Sequence, residues 1–146
     1  MAPSRKADYA LRAMLDLALH ASAERLASTA DIARRTGAPA KFLEAILGEL
    51  RRARLVESRR GANGGHRLAR SATRVSAGDV WRAVDGPLGL AERGGVRRRG
   101  AEGPARAVAG LWAEVEGAVA RAVDQVTLDE LMRRAHEAGG VHDFTI

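Results

Sequence analysis

A chain of 146 residues is long enough for one compact domain, or for one domain with an appendage. Apolar residues make up 46% but aromatics only 3%, so alanine, leucine and valine must fill the core, and the lack of any cysteine excludes disulfides, thiolate nucleophiles and cysteine-ligated clusters. The net charge of +6 is unevenly placed: residues 1–86 hold 16 Lys/Arg against 9 Asp/Glu, whereas residues 87–146 hold 8 against 9, so only the first part should attract a polyanion.

Taken in chain order, residues 5–22 put Ala7, Ala10, Leu11, Met14, Leu15, Ala18 and Ala21 on one stripe, which predicts an amphipathic helix. Arg12 and Asp16 interrupt its apolar run, so neither a signal peptide nor a membrane span is expected and the protein is assigned to the cytoplasm. Ser28, with Asp31 three residues on, forms a capping box for a second helix, Thr29 to Thr36, which ends at Gly37 and buries Ile32 and Ala33. Gly37-Ala38-Pro39 leads directly into a third helix. Pro39 suits a first helical position, and Phe42, Leu43, Ile46, Leu47, Leu50 and Ala53 repeat at three- and four-residue spacing as a buried face. Lys41, Glu44, Arg51 and Arg52 lie opposite. Two helices joined by so short a glycine-containing turn match a helix-turn-helix.

Leu55–Arg60 and His66–Ala69 read as short extended runs, with Asn63-Gly64 as the hairpin turn between them. Nine Lys/Arg against three Glu fall between residues 41 and 74. A helix followed by a basic β-hairpin is the second half of a winged helix-turn-helix. Ser76 and Asp79 make another capping box, with Val75 and Val80 as its staple, for a short helix holding Val80, Trp81 and Val84 and stopping at Gly86-Pro87.

Residues 86–104 contain six glycines, two prolines and the run Arg97-Arg98-Arg99, a loop pattern. Pro104 opens a long helix to about Val126. Its stripe of Val108, Leu111, Trp112, Val115, Val119, Ala122 and Val126 is narrow, like a coiled-coil seam. Thr127 and Glu130 cap a last helix, stapled by Val126 and Leu131, that is expected to close at Gly139-Gly140 before a loose tail. The fold class is therefore mainly α with a small β-hairpin. A winged helix-turn-helix domain (1–86) is followed by a loop (87–103), dimerisation helices (104–138) and a tail (139–146).

These pieces resemble the Rrf-two family of bacterial transcription regulators, which includes repressors of iron–sulfur assembly, of nitric-oxide stress and of cysteine metabolism. The resemblance is carried by Asp8-Tyr9-Ala10-Leu11-Arg12-Ala13, Asp31-Ile32-Ala33 and Phe42-Leu43-Glu44-Ala45-Ile46-Leu47. It continues through Leu50-Arg51, Leu55-Val56, Ser58-Arg59-Arg60-Gly61 and Gly64-Gly65-His66-Arg67-Leu68-Ala69 in the wing. Val80 to Gly86, Leu111-Trp112 and Thr127-Leu128-Asp129-Glu130-Leu131 extend it to about residue 135. The chain departs from the family at Ala45, where a glutamine is common, at His66, where a tyrosine stands, and at Ala62-Asn63 in place of Pro-Gly. The loop before the long helix lacks the three cysteines of cluster-binding members. Asp8, near a cluster-ligating carboxylate of some relatives, is then an ordinary first-turn residue, and no cofactor is expected.

Residues expected to meet DNA are Ser28 and Thr29 on the second helix, Lys41, Phe42, Glu44, Arg51 and Arg52 on the third, and Arg59, Arg60, Gly61, Asn63 and Arg67 on the wing. The resemblance implies that Arg60 enters the minor groove. Glu44 has two readings, acceptor from a cytosine amino group or partner of Lys41. Basic hairpin strands also guard an edge against aggregation, and Arg97–Arg99 read as a solvated charge run. The expected dimer interface is Val108, Leu111, Trp112, Val115, Val119 and Val126, with Trp112 a packing residue. The four histidines lie on separate elements without metal-ligand spacing, and no catalytic motif is present, so neither a metal site nor an enzyme is expected. The function these features support is a homodimeric, sequence-specific regulator, a repressor, on a palindromic double-stranded operator. Its effector would be a small molecule, a partner protein or none. The alternative is a winged-helix protein that binds a partner protein or RNA and has lost operator recognition.

Overall fold

The computed structural model describes residues 3–89 and 102–143. The first helix, α1 (Arg5–His20), is capped by Ser4, whose Oγ accepts from the Ala7 N–H at 3.0 Å. Its buried face is Ala7, Ala10, Ala13, Met14 and Leu17, all at zero exposure, and four later α-helices pack on it. Asp16, on the same helix, is only 6% exposed and receives both Nε and Nη2 of Arg35, at 2.8 and 3.0 Å. That fork ties α1 to α2 (Thr29–Thr36), which ends at Gly37 in the left-handed region, φ +76°.

The third helix, α3 (Ala40–Arg52), takes Pro39 as its N-cap residue and buries Leu43, Ile46, Leu47 and Leu50. Two of the residues expected on that face are placed differently. Ala53 is half-buried just past the helix, and Phe42 is 42% exposed. Each residue turns about 100° around the axis, so Phe42 lies at the margin of the buried stripe, about 40° from Ile46 but about 100° from Leu43.

The wing is a two-stranded antiparallel sheet, β1 (Val56–Arg59) and β2 (Gly65–Leu68), paired Val56 to Leu68, Glu57 to Arg67, Ser58 to His66 and Arg59 to Gly65. The Gly64 N–H donates to the Gly61 carbonyl at 2.9 Å, so the turn closes over residues 61–64. A Cβ on Gly64 would stand 2.1 Å from the Arg59 carbonyl oxygen, which no side chain could tolerate. A short 3-10 turn, Ala72–Arg74, leads to α4 (Ala77–Asp85), whose Ser76/Asp79 capping box is complete. The staple residues Val75 and Val80 are both fully buried.

Two long helices follow, α5 (Pro104–Asp124) and α6 (Leu128–Asp143). The junction between them is held to the winged domain by Ala77 N–H to the Val126 carbonyl (2.7 Å) and Leu128 N–H to the Val75 carbonyl (2.9 Å). Arg82 adds a two-pronged ion pair to Asp124 at 2.6 and 2.9 Å, which holds the Asp124 carboxyl below the usual carboxylate range. Leu128 is fully buried, whereas α5 has no buried residue at all. Helix α6 runs past the expected stop at Gly139-Gly140 to Asp143. Glycine costs about 1 kcal/mol inside a helix and does not forbid one. Most of the expected loop, including Arg97–Arg99, and the end of the expected tail lie outside the described residues.

Replacing Asp16 by alanine would leave the Arg35 guanidinium facing the α1–α2 seam with no acceptor. A fully buried pair broken this way costs about 3–5 kcal/mol. Arg35 keeps 29% side-chain exposure, so the expected loss is smaller, about 2 kcal/mol. Urea unfolding of Asp16→Ala checks this, and an unchanged midpoint would show that the fork does not clamp the two helices.

Candidate nucleic-acid interface

The outward side of α3 follows from its buried side. With Leu43, Leu47 and Leu50 inward, helical geometry places Lys41, Ala45, Gly48 and Arg52 along the opposite ridge, with Glu44 and Arg51 beside them. Lys41, Glu44, Ala45, Arg51 and Arg52 are all exposed. Neither Lys41 nor Glu44 makes a side-chain hydrogen bond or ion pair among the described residues, so the pairing considered for them does not form. Phe42 leans instead toward α1, its ring 5.9 Å from that of Tyr9 and turned 76°, an edge-to-face contact.

The wing is joined to the helix-turn-helix by a residue that sequence reasoning left aside. The His66 backbone pairs with Ala27, just ahead of α2: the Ala27 N–H donates to the His66 carbonyl at 3.0 Å and the His66 N–H to the Ala27 carbonyl at 2.8 Å. The His66 ring sits between two hydroxyls, Nε2 at 3.0 Å from Thr29 Oγ1 and Nδ1 at 2.7 Å from Ser58 Oγ. In the neutral ring one nitrogen donates and the other accepts, and each hydroxyl turns to suit. Burial, and secondarily the charge of Arg51, push the imidazole pKa below its ordinary 6.5.

Several of the expected DNA-contacting groups are already committed. Ser28 Oγ accepts the Asp31 N–H as the cap of α2, Thr29 is bonded to His66, and Arg67 is paired with Glu57 across the sheet at 2.8–2.9 Å. Arg59 and Arg60 at the end of β1 are exposed, as are Gly61, at φ +109°, and Asn63 in the turn. Arg51 shares an open groove of about 780 Å³ with Arg54, Arg70 and the β1 residues Glu57 and Ser58. Arg54 carries the left-handed conformation (φ +60°) that ends α3, a position glycine usually takes. Arg54 and Arg70 were not singled out from the sequence, because neither belongs to a periodic face.

A sequence profile of the Rrf2 family, described as an iron-dependent transcriptional regulator, matches residues 3–134. The chain belongs to the Rrf2 family. Rv1287 of Mycobacterium tuberculosis is 39% identical over 131 residues, spanning 90% of this chain and 81% of that protein. The HTH-type transcriptional regulator IscR of Vibrio atlanticus is 36% identical over 129 residues, spanning 88% and 73%. Among solved structures, IscR of T. potens superposes with a TM-score of 0.76 at 33% identity, covering 94% of this chain and 90% of that one. CymR, the global cysteine regulator of B. subtilis, gives 0.75 at 32% identity, covering 92% and 98%.

Membership carries a winged-helix fold and a DNA-binding role in transcription regulation, in a family of regulators and not of enzymes. The reading as a winged helix that has lost DNA recognition finds no support among these relatives. The family's link to iron does not fit this chain's donors. It has no thiolate to hold an iron–sulfur cluster, and among the described residues no three His, Asp or Glu side chains group as metal ligands. No helix of the described residues is long and apolar enough to cross a membrane.

The His66 contacts have a pH signature. His66 binds its proton more weakly folded than unfolded, so acid favours the unfolded chain. Its contribution is complete above pH 6.5, shrinks as the pH falls below 6.5 and is lost below the depressed folded value. Wild-type stability should therefore drop faster than that of His66→Gln between pH 7.5 and about 5 in urea unfolding. Parallel profiles would remove His66 as the titrating group.

Proposed function

We propose that this protein is a homodimeric, sequence-specific repressor that binds a palindromic operator, with α3 in the major groove and the wing over the flanking minor groove. The observation that carries this reading is a cluster of exposed basic side chains without ion-pair partners among the described residues, gathered on that surface. Lys6, Arg12, Arg34, Arg35, Arg67 and Arg82 are each held by a carboxylate. Lys41, Arg51, Arg52, Arg59 and Arg60, on the outward ridge of α3 and the end of β1, have no ion-pair partner among the described residues. Cations left unneutralised on one face attract phosphate and release its counterions. Lys41 and Glu44 stand in the first turns of α3, the end that meets base edges in helix-turn-helix proteins, and Glu44 is free to accept from a cytosine amino group.

The reading predicts that log affinity for duplex DNA falls linearly with log salt, by about 0.9 per phosphate contact. Lys41→Ala should cost roughly 1–3 kcal/mol and relax specificity at one base pair. Arg60→Ala should weaken binding through the minor groove. Competition binding to the chain's own upstream region, across a salt series, tests all three. Full operator affinity in both variants would move the site elsewhere.

The dimer rests on α5. Val108, Leu111 and Trp112 are 47%, 52% and 42% exposed, large apolar side chains left in water along one seam that continues to the half-buried Val115 and Val119. A two-fold pairing covers that seam with itself and leaves no open patch. It also presents two α3 helices to half-sites about 34 Å apart. Val126, the last expected seam residue, follows the end of α5, half-buried, and its carbonyl accepts the Ala77 N–H at the α5–α6 junction. Trp112→Glu combined with Val115→Glu should give a monomer that keeps its winged domain folded and loses high-affinity operator binding. Sedimentation velocity at micromolar concentration reads the outcome, and a wild-type monomer would refute the dimer.

A further inference from the structure

Beside the first turn of α3 is an open hollow of about 550 Å³, lined by Arg5, Tyr9, Pro39, Lys41, Phe42 and Ala45. Its walls are mostly carbon, and its charged groups, Arg5 and Lys41, are both cations. Phe42 is the one large hydrophobic residue of the winged domain left exposed among the described residues. It is also held in place: its ring meets the edge of Tyr9, and the Arg12 guanidinium, itself paired with Asp8, lies 5.8 Å from the Tyr9 ring centre. The hollow is thus preformed, apolar inside and positive outside.

Such a surface suits an apolar group carried on a polyanion. The major groove offers one, the 5-methyl of thymine, which alanine and phenylalanine side chains contact. The hollow includes Lys41, which has no ion-pair partner among the described residues, and Ala45 brings no hydrogen-bonding side chain to the base edges. We propose that Phe42 and Ala45 form a methyl pocket that reads thymine in each operator half-site, with Arg5 holding a flanking phosphate and Lys41 at the neighbouring base edge. This rests on the DNA-binding reading above and assigns a base identity within it.

The test uses the full-length protein and an operator selected from random duplexes. Each half-site thymine is replaced singly by uracil, which deletes the methyl and keeps every hydrogen-bonding group. At one or two positions per half-site the wild type should lose about fourfold in affinity, the ~0.8 kcal/mol of one buried methyl. Phe42→Ala should bind the thymine operator more weakly and no longer distinguish uracil there, while Phe42→Leu, which keeps an apolar wall, retains part of the discrimination. Selected operators bound equally well with uracil at every position would overturn the pocket and leave the DNA-binding reading standing. Uracil sensitivity unchanged in Phe42→Ala would assign the methyl contact to other residues. A folded dimer that selects no duplex overturns both readings, and a monomeric Phe42→Ala would make the hollow a contact between two copies of the chain instead.

Discussion

Ala7, Ala10 and Ala13 on α1 allow neighbouring helices to approach one axis closely, and that approach determines which face of α3 is left outward. All three are fully buried, and α2, α3, α4 and α6 each pack on α1. Helix axes lie about 8–10 Å apart depending on the side chains between them, and methyl-sized residues put them at the near end of that range. A chain with so few aromatics has no large rings to fill wider gaps, so close packing of small side chains is how its interior reaches normal density. Two polar contacts then fix the angles. The Arg35 fork on Asp16 sets α2, and Lys6 Nζ, 2.7 Å from Glu49 Oε1, sets α3. With both oriented, the ridge of α3 opposite Leu43 and Leu47 can only face outward.

The wing would be a poor element alone, since an isolated two-stranded hairpin is marginal in water. Here it is attached through His66, which contributes backbone pairing to Ala27 and ring contacts to Thr29 and Ser58. The hydroxyl of Thr29, expected at the DNA, also supports the hairpin. The same division of labour runs through the charged residues. The cross-strand pair of Arg67 with Glu57 stiffens the sheet, whereas Arg59 and Arg60 at its end have no ion-pair partner among the described residues.

The winged domain and α5 are connected with little slack. Backbone hydrogen bonds on both sides of the α5–α6 junction and the Arg82–Asp124 fork pin the end of α5 to the start of α4. Gly78 permits this, because a Cβ there would stand 1.9 Å from Asp124 Oδ1. In the proposed dimer, any change at the α5 seam would pass through this joint to the spacing of the two α3 helices. An iron–sulfur cluster has no ligands here, so such a change would come from another source.

The helices, the hairpin and their order were legible in the sequence because the signals that specify them are local. Period, caps and turn residues act over three or four positions, and Ser76 with Asp79 or the Leu43–Leu50 stripe could be read without knowing what lies nearby. The run from residue 41 to 74 likewise marked the basic surface, and the resemblance of its motifs named the family. Which side chains remain available on that surface could not be read locally. Thr29 and His66 are 37 residues apart, and Arg82 and Asp124 are 42 apart. Ser28, Thr29 and Arg67 looked as available as Lys41 or Arg60 until the fold gave them partners. Phe42 fitted the buried spacing, yet its ring packs against Tyr9 and stays 42% exposed. Local sequence determined the elements and their polarity; only tertiary packing decided which polar groups found partners inside the protein and which stayed without one among the described residues, because a hydrogen bond or a ring contact depends on distances that the chain sets only when it folds.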